Sequence, residues 1–433
     1  MPAFTLPDCE LGVATAATQI EGGDADTNWH RWAALGRIKD GSSPARAADH
    51  WRRFEQDTAL LGELGVRHYR MGIEWARVEP RPGEFDQAAL DHYREELAGL
   101  RAAGIQPLVT LHHFSEPGWF SATGSWLGSS AMPVFLRYVE QVVTALGDHV
   151  RDWITINEPN VYATHGYLWG LWPPGERSLR RTLAVLERLC AAHLFTYPLI
   201  HRLQPHARVG VAHHLRVFAP RNPANPVHRR AAVATRRLFQ DTELELCSTG
   251  RSMFPLRAPR GLRPGRYYDF HGINYYTRSS VSRIGDGVAP GVAVNDLGWE
   301  VYPRGIVEVA AAVHARYPAP IWITENGTAD GTDAFRARYL YEHLAQIAAS
   351  ELPIERYYHW CFTDNWEWAE GEAARFGLVH LDYETQRRTI KESGRFFADI
   401  IANRGVTAAA HERWVAGREY AQNEVGAAGG RRR

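Results

Sequence analysis

Trp153-Ile154-Thr155-Ile156-Asn157-Glu158-Pro159 and Ile321-Trp322-Ile323-Thr324-Glu325-Asn326-Gly327 decide how this chain is read. Each is a short run of β-branched and aromatic residues, the pattern of a buried strand. Each ends at a glutamate and is stopped by a breaker, Pro159 in one and Asn326-Gly327 in the other. One such glutamate alone reads as a solvated charge at a strand end. Two, each behind an apolar strand, call for a fold that brings strand ends together.

Working outward, strand-like segments fall at 12–17, 66–71, 106–111, 153–156, 209–212, 270–274, 320–324 and 357–362. Amphipathic helical stretches lie between or after them at 47–64, 87–103, 132–146, 179–203, 226–246, 303–316, 333–349 and 390–402. Glycines mark helix ends, as in Leu64-Gly65-Val66 and Ala103-Gly104-Ile105. Strict alternation of this kind predicts a single-domain α/β fold, a (β/α)8 TIM barrel, over residues 1–404. An open doubly wound sheet fits less well, because no glycine-rich phosphate fingerprint follows the first strand. Residues 405–433 read as a C-terminal extension. A polar helix is expected over 406–423, followed by an unfolded tail ending in Arg431-Arg432-Arg433.

Composition narrows the class. The chain has 433 residues, 45% of them hydrophobic, with 49 basic and 49 acidic side chains. Zero formal charge argues against a nucleic-acid partner. No run of eighteen apolar residues occurs, so no membrane span is expected. Residues 1–17 lack the basic start and apolar stretch of a signal peptide. The cysteines, Cys9, Cys190, Cys247 and Cys361, are far apart in sequence and form no CxxC pair. That spacing suggests reduced thiols in a cytoplasmic enzyme rather than a disulfide framework or zinc knuckle. His112-His113 could suggest a metal pair, but adjacent strand residues face opposite ways, so no metal is expected. Nothing in the sequence reports the oligomeric state.

In a barrel the strand C-terminal ends form one mouth. Glu158 and Glu325 then face each other across it, in company with Gln19, Arg70, His113, Asn157, Asn274, Tyr276 and Trp360. Two carboxyl groups at one mouth are the parts that glycosidic bond hydrolysis needs.

The two opening segments match the signature motifs of glycoside hydrolase family 1, the β-glucosidase family. Gly12–Gly22, Tyr69-Arg70, Glu74-Trp75-Ala76-Arg77, Gly272-Ile273-Asn274-Tyr275-Tyr276, Asp364-Asn365-Trp366-Glu367-Trp368 and Arg375-Phe376-Gly377 resemble further motifs of that family, in its order. The resemblance covers roughly residues 4 to 400. It implies a retaining exo-β-glycosidase that needs no cofactor and acts on a β-glycoside substrate, most simply a β-glucosidase with some activity on β-galactosides or β-fucosides. A β-mannosidase or transglycosidase of the same family, and a catalytically silent sugar-binding barrel, are the alternatives. Glu325 would be the nucleophile, kept ionised by Arg70 and oriented by Tyr276. Glu158 would be the acid and then the base, its proton held by burial and by the charge of Glu325. Asn157 would meet the sugar 2-OH. Gln19, His113, Glu367 and Trp368 match positions that bind the other hydroxyls, and Trp360 matches the platform beneath the ring. The intact Glu367-Trp368 pair implies a neutral rather than a phosphorylated sugar. His113-Phe114-Ser115-Glu116-Pro117 departs from the usual His-Trp-Asp-Leu-Pro, so Phe114 offers no indole N–H.

Overall fold

Eight parallel strands close on themselves in the computed structural model of the protein, which describes residues 2–283 and 285–423. They are β1 (Glu10–Ala14), β2 (His68–Gly72), β3 (Gln106–His112), β4 (Asp152–Asn157), β5 (Arg208–His214), β6 (His271–Asn274), β7 (Ile321–Asn326) and β8 (Ile354–Trp360). Each pairs with its sequence neighbours, and β8 returns to β1 through Tyr358 opposite Gly12. Parallel strands covered on both faces need apolar side chains throughout, and β4 and β7 are buried along their whole lengths. The (β/α)8 barrel expected from alternation is therefore the fold.

Helices α1 (His50–Glu63), α2 (Gln87–Ala102), α3 (Ala131–Leu146), α4 (Leu179–Leu203), α5 (Pro226–Arg236), α6 (Gly305–Arg316), α7 (Arg336–Ala348) and α8 (Glu392–Asn403) follow the strands in turn. Asp86 caps α2 by accepting from the backbone N–H of Ala88 and Ala89 at 2.8 and 3.2 Å. Gly104 stops the same helix at φ +77°, a left-handed conformation that favours glycine. The long helix α4 is apolar enough to span a membrane by length and hydropathy, but 56% of its most apolar window is buried against the rest of the fold. The stretch expected as one helix over 226–246 divides. A wider-wound turn, Arg237–Asp241, separates α5 from the helix Thr242–Thr249.

Opposite the mouth, the barrel floor is aromatic and charged. Trp322 stacks on Phe270 with ring centroids 3.6 Å apart, and Arg208 and Arg356 lie over its ring. The same two guanidiniums donate to buried Asp152 at 2.6–2.8 Å. Removing a buried tryptophan of this kind costs roughly 3–5 kcal/mol.

The C-terminal segment differs from the expected extension. Gly405-Val406 pairs antiparallel with Phe4-Thr5. The helix is short, Ala408–Trp414, with Trp414 buried. Ala421-Gln422 then pairs with Ala293-Val294. Residues 405–423 thus pair at both ends with segments outside the closed barrel. The expected unfolded tail, 426–433, lies outside the described residues. Sequence spacing also concealed one cysteine contact: Cys190 of α4 and Cys247 of Thr242–Thr249 meet beside Glu243, which His213 holds at 2.9 Å.

Candidate active site

All eight strand ends contribute to the mouth. Gln19 lies in a single helical turn, Ala17–Ile20, beyond β1. Arg70 sits within β2, and His113 follows β3. Asn157 ends β4, with Glu158 directly after it. His214 ends β5, and Asn274 ends β6 with Tyr276 just beyond. Glu325 is inside β7, one residue further into regular strand than the sequence suggested, and Trp360 ends β8.

Glu158 is held where the strand breaks. Its backbone is left-handed, φ 43° and ψ 62°, which costs a residue with a Cβ about 1–3 kcal/mol. Pro159 opens the next helix and disfavours ordinary helical backbone at the residue before it. The Glu158 N–H donates to the Ala212 carbonyl at 2.8 Å, which fixes the turn against β5.

On the other side, Arg70 Nη1 donates to Glu325 Oε1 at 2.5 Å, and the Tyr276 hydroxyl donates to Oε2 at 2.6 Å. Gly327 lets the chain leave β7 tightly. A Cβ there would lie 1.8 Å from the Trp360 carbonyl oxygen.

The two carboxylates belong to one hydrogen-bond network. Arg70 Nη2 donates to Asn157 Oδ1 at 2.7 Å. A guanidinium can only donate, so this fixes the Asn157 amide with its oxygen toward Arg70. Asn274 Nδ2 donates to the same oxygen at 3.0 Å and to Glu158 Oε1 at 2.9 Å, and Thr324 Oγ1 donates to Asn274 Oδ1 at 2.7 Å. Asn157 Nδ2 is then the donor to His113 Nε2 at 3.0 Å. With Nε2 accepting, neutral His113 carries its proton on Nδ1, which is buried and has no partner among the described residues. That N–H is available to a ligand.

Gln19 is placed comparably. Its Nε2 faces Glu367 Oε2 at 2.9 Å, the Trp366 carbonyl at 3.0 Å and Asn365 Oδ1 at 3.1 Å. Its Oε1 is buried and unpartnered among the described residues. Trp360 and Trp368 both pack against His113, with ring centroids 5.8 Å apart in each case. Phe114 packs its ring against Trp172 and Trp368. Its carbonyl, rather than its side chain, accepts from Asn28 and Trp29. Every residue singled out in the sequence is thus brought to one mouth.

The charges differ from the sequence expectation. Burial pushes Glu325 up to about 7; Arg70 opposes this, the Glu158 charge adds to it, and Tyr276 opposes it. Burial also acts to raise Glu158, but His214, Asn274 and Arg70 outweigh it and the group is lowered. The pair titrates as a unit, holding one proton between its two steps. The surroundings act on the two groups in opposite directions. The reason lies in two contacts the motifs did not reveal. His214 Nδ1 lies 3.0 Å from Glu158 Oε1, on the same oxygen as Asn274. Burial likewise pushes Glu367 up to about 8.

A parallel barrel whose mouth holds two buried, networked carboxyl groups, with Gln19 Oε1 and His113 Nδ1 unpartnered among the described residues, is built to cleave glycosides. The protein is a glycoside hydrolase. A sequence model described as Glycosyl hydrolase family 1 matches residues 5–253 and 265–406, and the chain belongs to that family. Beta-glucosidase A of Thermotoga maritima is 32% identical, aligned over 91% of this chain and 97% of that protein. The beta-glucosidase of an Agrobacterium species is 31% identical over 91% of this chain and 95% of its own length. The solved beta-glycosidase from Pyrococcus horikoshii superposes with a TM-score of 0.88 at 32% identity, covering 96% of this chain and 98% of that one. The Thermotoga maritima beta-glucosidase in complex with glucoimidazole gives 0.86 at 29% identity, covering 94% and 100%.

Proposed function

We propose that the chain is a retaining exo-β-glycosidase that releases terminal β-D-glucosyl residues, and β-galactosyl or β-fucosyl residues less selectively. The observation that carries this reading is the Arg70–Asn157–Asn274 network, which ties two buried carboxyl groups in unequal surroundings to one mouth. Glu325, with each oxygen held by a donor, attacks the anomeric carbon. Glu158 gives its proton to the departing oxygen. The productive form of the one-proton pair has that proton on Glu158. Attack then converts the Glu325 charge into an ester, and Glu158, now ionised, takes a proton from the incoming water.

The unpaired Gln19 Oε1 and His113 Nδ1–H meet sugar hydroxyls, with Glu367 beside them and the Asn157 amide toward the 2-OH. Glucoside specificity is supported by relatives named as beta-glucosidases and by a structural neighbour that holds glucoimidazole. A cytoplasmic setting belongs to the same reading and is supported by four buried free thiols. The test is Glu325→Ala, which is expected to abolish hydrolysis of an aryl β-glucoside with the fold intact. In the parent, proton NMR should show the β-sugar as the first product. Retained activity in the variant, or an α-sugar released first, would overturn the reading.

A further inference from the structure

His214 was not among the residues the sequence motifs pointed to, yet it touches the proposed acid. Three contacts define its state. Arg216 Nε and Nη2 lie 3.2 and 2.9 Å from His214 Nε2. Arginine has no acceptor, so Nε2 must present its lone pair. The imidazole is then neutral with its proton on Nδ1, and that N–H donates to Glu158 Oε1 at 3.0 Å. Arg216 is itself fixed. Its guanidinium lies over Phe239, its backbone N–H donates to Gln240 Oε1, and its Nη1 reaches Ser279 Oγ at 3.4 Å. The His214 ring lies nearly parallel to Tyr276, 19° between planes and 6.2 Å between centroids. One residue therefore contacts the acid through hydrogen bonding and backs the tyrosine that holds the nucleophile.

We propose that His214, locked by Arg216 as the Nδ1–H tautomer, is a positioning residue that holds Glu158 by its Oε1 and leaves Oε2 as the proton-carrying oxygen. The inference rests on the reading of Glu158 as acid and base. Oε1 already accepts from His214 and from Asn274, so a proton placed there would displace a donor. Oε2 is the oxygen from which a proton can leave and to which it can return. Both donors favour the carboxylate over the acid. His214 thereby biases Glu158 toward its second task, accepting a proton from water, at some expense to the first. The other charged or titratable groups facing Glu158 are Arg70, Glu325, Tyr276 and His165, besides Arg216 behind the imidazole.

The covalent enzyme isolates this effect, because esterified Glu325 no longer shares a proton with Glu158. Trapping the enzyme with an activated 2-deoxy-2-fluoro-β-glucoside and following its release against pH reads the ionisation of Glu158 alone. Release should rise with pH in the parent. In His214→Phe, which keeps a flat ring against Tyr276 but has no donor, that rise should move up by about one pH unit. In His214→Asn, whose amide N–H reaches the place of Nδ1–H, it should stay within roughly a few tenths of a unit of the parent. A uniform slowing without a shift in His214→Phe, or an Asn variant that behaves like the Phe variant, would overturn the proposal. Label found on a residue other than Glu325 would instead overturn the reading on which it rests.

Should the Phe variant not fold, the tautomer is tested directly. Nitrogen NMR of the parent should show His214 protonated on Nδ1 alone through the neutral range, and Arg216→Met should let Nε2 take up a proton on acidification. A parent protonated on Nε2 would overturn the proposal.

Discussion

Glu158→Gln separates the two carboxyl groups most cleanly. The amide keeps the shape of the acid, and its oxygen can still accept from His214 and Asn274, whose donors lie 3.0 and 2.9 Å from Oε1. What disappears is a proton and a charge. Glu325 sits at about 7 partly because of that charge. Two carboxylates about 5 Å apart, the spacing of retaining enzymes, repel by roughly 3 kcal/mol at an effective dielectric of about 20. That is roughly two pH units. The variant should therefore lose the bell-shaped kcat/KM profile of the parent and show a single rise with pH, with its midpoint near 5 by the same reckoning. In kcat/KM, which reports the first step alone, aryl β-glucosides with good leaving groups should stay close to the parent while poor leaving groups should lose about 10²- to 10⁴-fold, the usual worth of a general acid, and kcat should fall for all of them because the base of the second step is also gone. A profile that remains a bell, a midpoint at or above 7, or equal losses for good and poor leaving groups would refute the assignment.

Arg70→Met should nearly abolish turnover and lower stability by roughly 3–5 kcal/mol in urea, because it strands Glu325 and Asn157 without their buried partner. Gln19→Ala should cost roughly 10- to 100-fold in kcat/KM on β-glucosides; the penalty should shrink on whichever deoxy-glucoside lacks the hydroxyl that Gln19 meets, and a constant penalty across the deoxy series would count against direct contact. A pH-dependent stability is expected from buried His50. Burial acts to lower this group, but Glu96 and Asp57 raise it to about 10 in the folded state. Its contribution is complete below about 6.5, the unfolded value, and is lost as pH rises through about 10. Urea midpoints should fall between neutral and alkaline pH by the equivalent of a few kcal/mol, and His50→Gln should flatten the curve.

The sequence carried the barrel because period and spacing are local properties. All eight strands and α4 were placed to within a few residues, and the two glutamates led to the mouth. What it could not carry was long-range contact. His214 is one of an adjacent pair at a strand end, and nothing local distinguishes it from His213, which turns outward to Glu243. Only the neighbouring strand ends show which of the two faces Glu158. The directions in which the two carboxyl groups are shifted are hidden for the same reason. Arg70 and burial were foreseeable from the motifs, but the donors on Glu158 Oε1 were not. The break within 226–246 gives no local warning either, since the apolar pattern continues across the wider turn at Arg237–Asp241.

The end of the chain matters to anyone who handles this protein. Asn423 and Gly291–Val292 exchange backbone hydrogen bonds of 2.9 and 3.0 Å, beside the pairing of Ala421-Gln422 with Ala293-Val294. The loop so fastened also carries Trp299, which packs edge-on against Tyr276. A load applied at Asn423 therefore reaches the wall of the catalytic mouth. Attachment at the N-terminus leads instead to Phe4-Thr5, just before the first barrel strand begins at the floor. A load at Phe4-Thr5 is taken up at the floor, whereas the same load at 421–423 falls on the working edge.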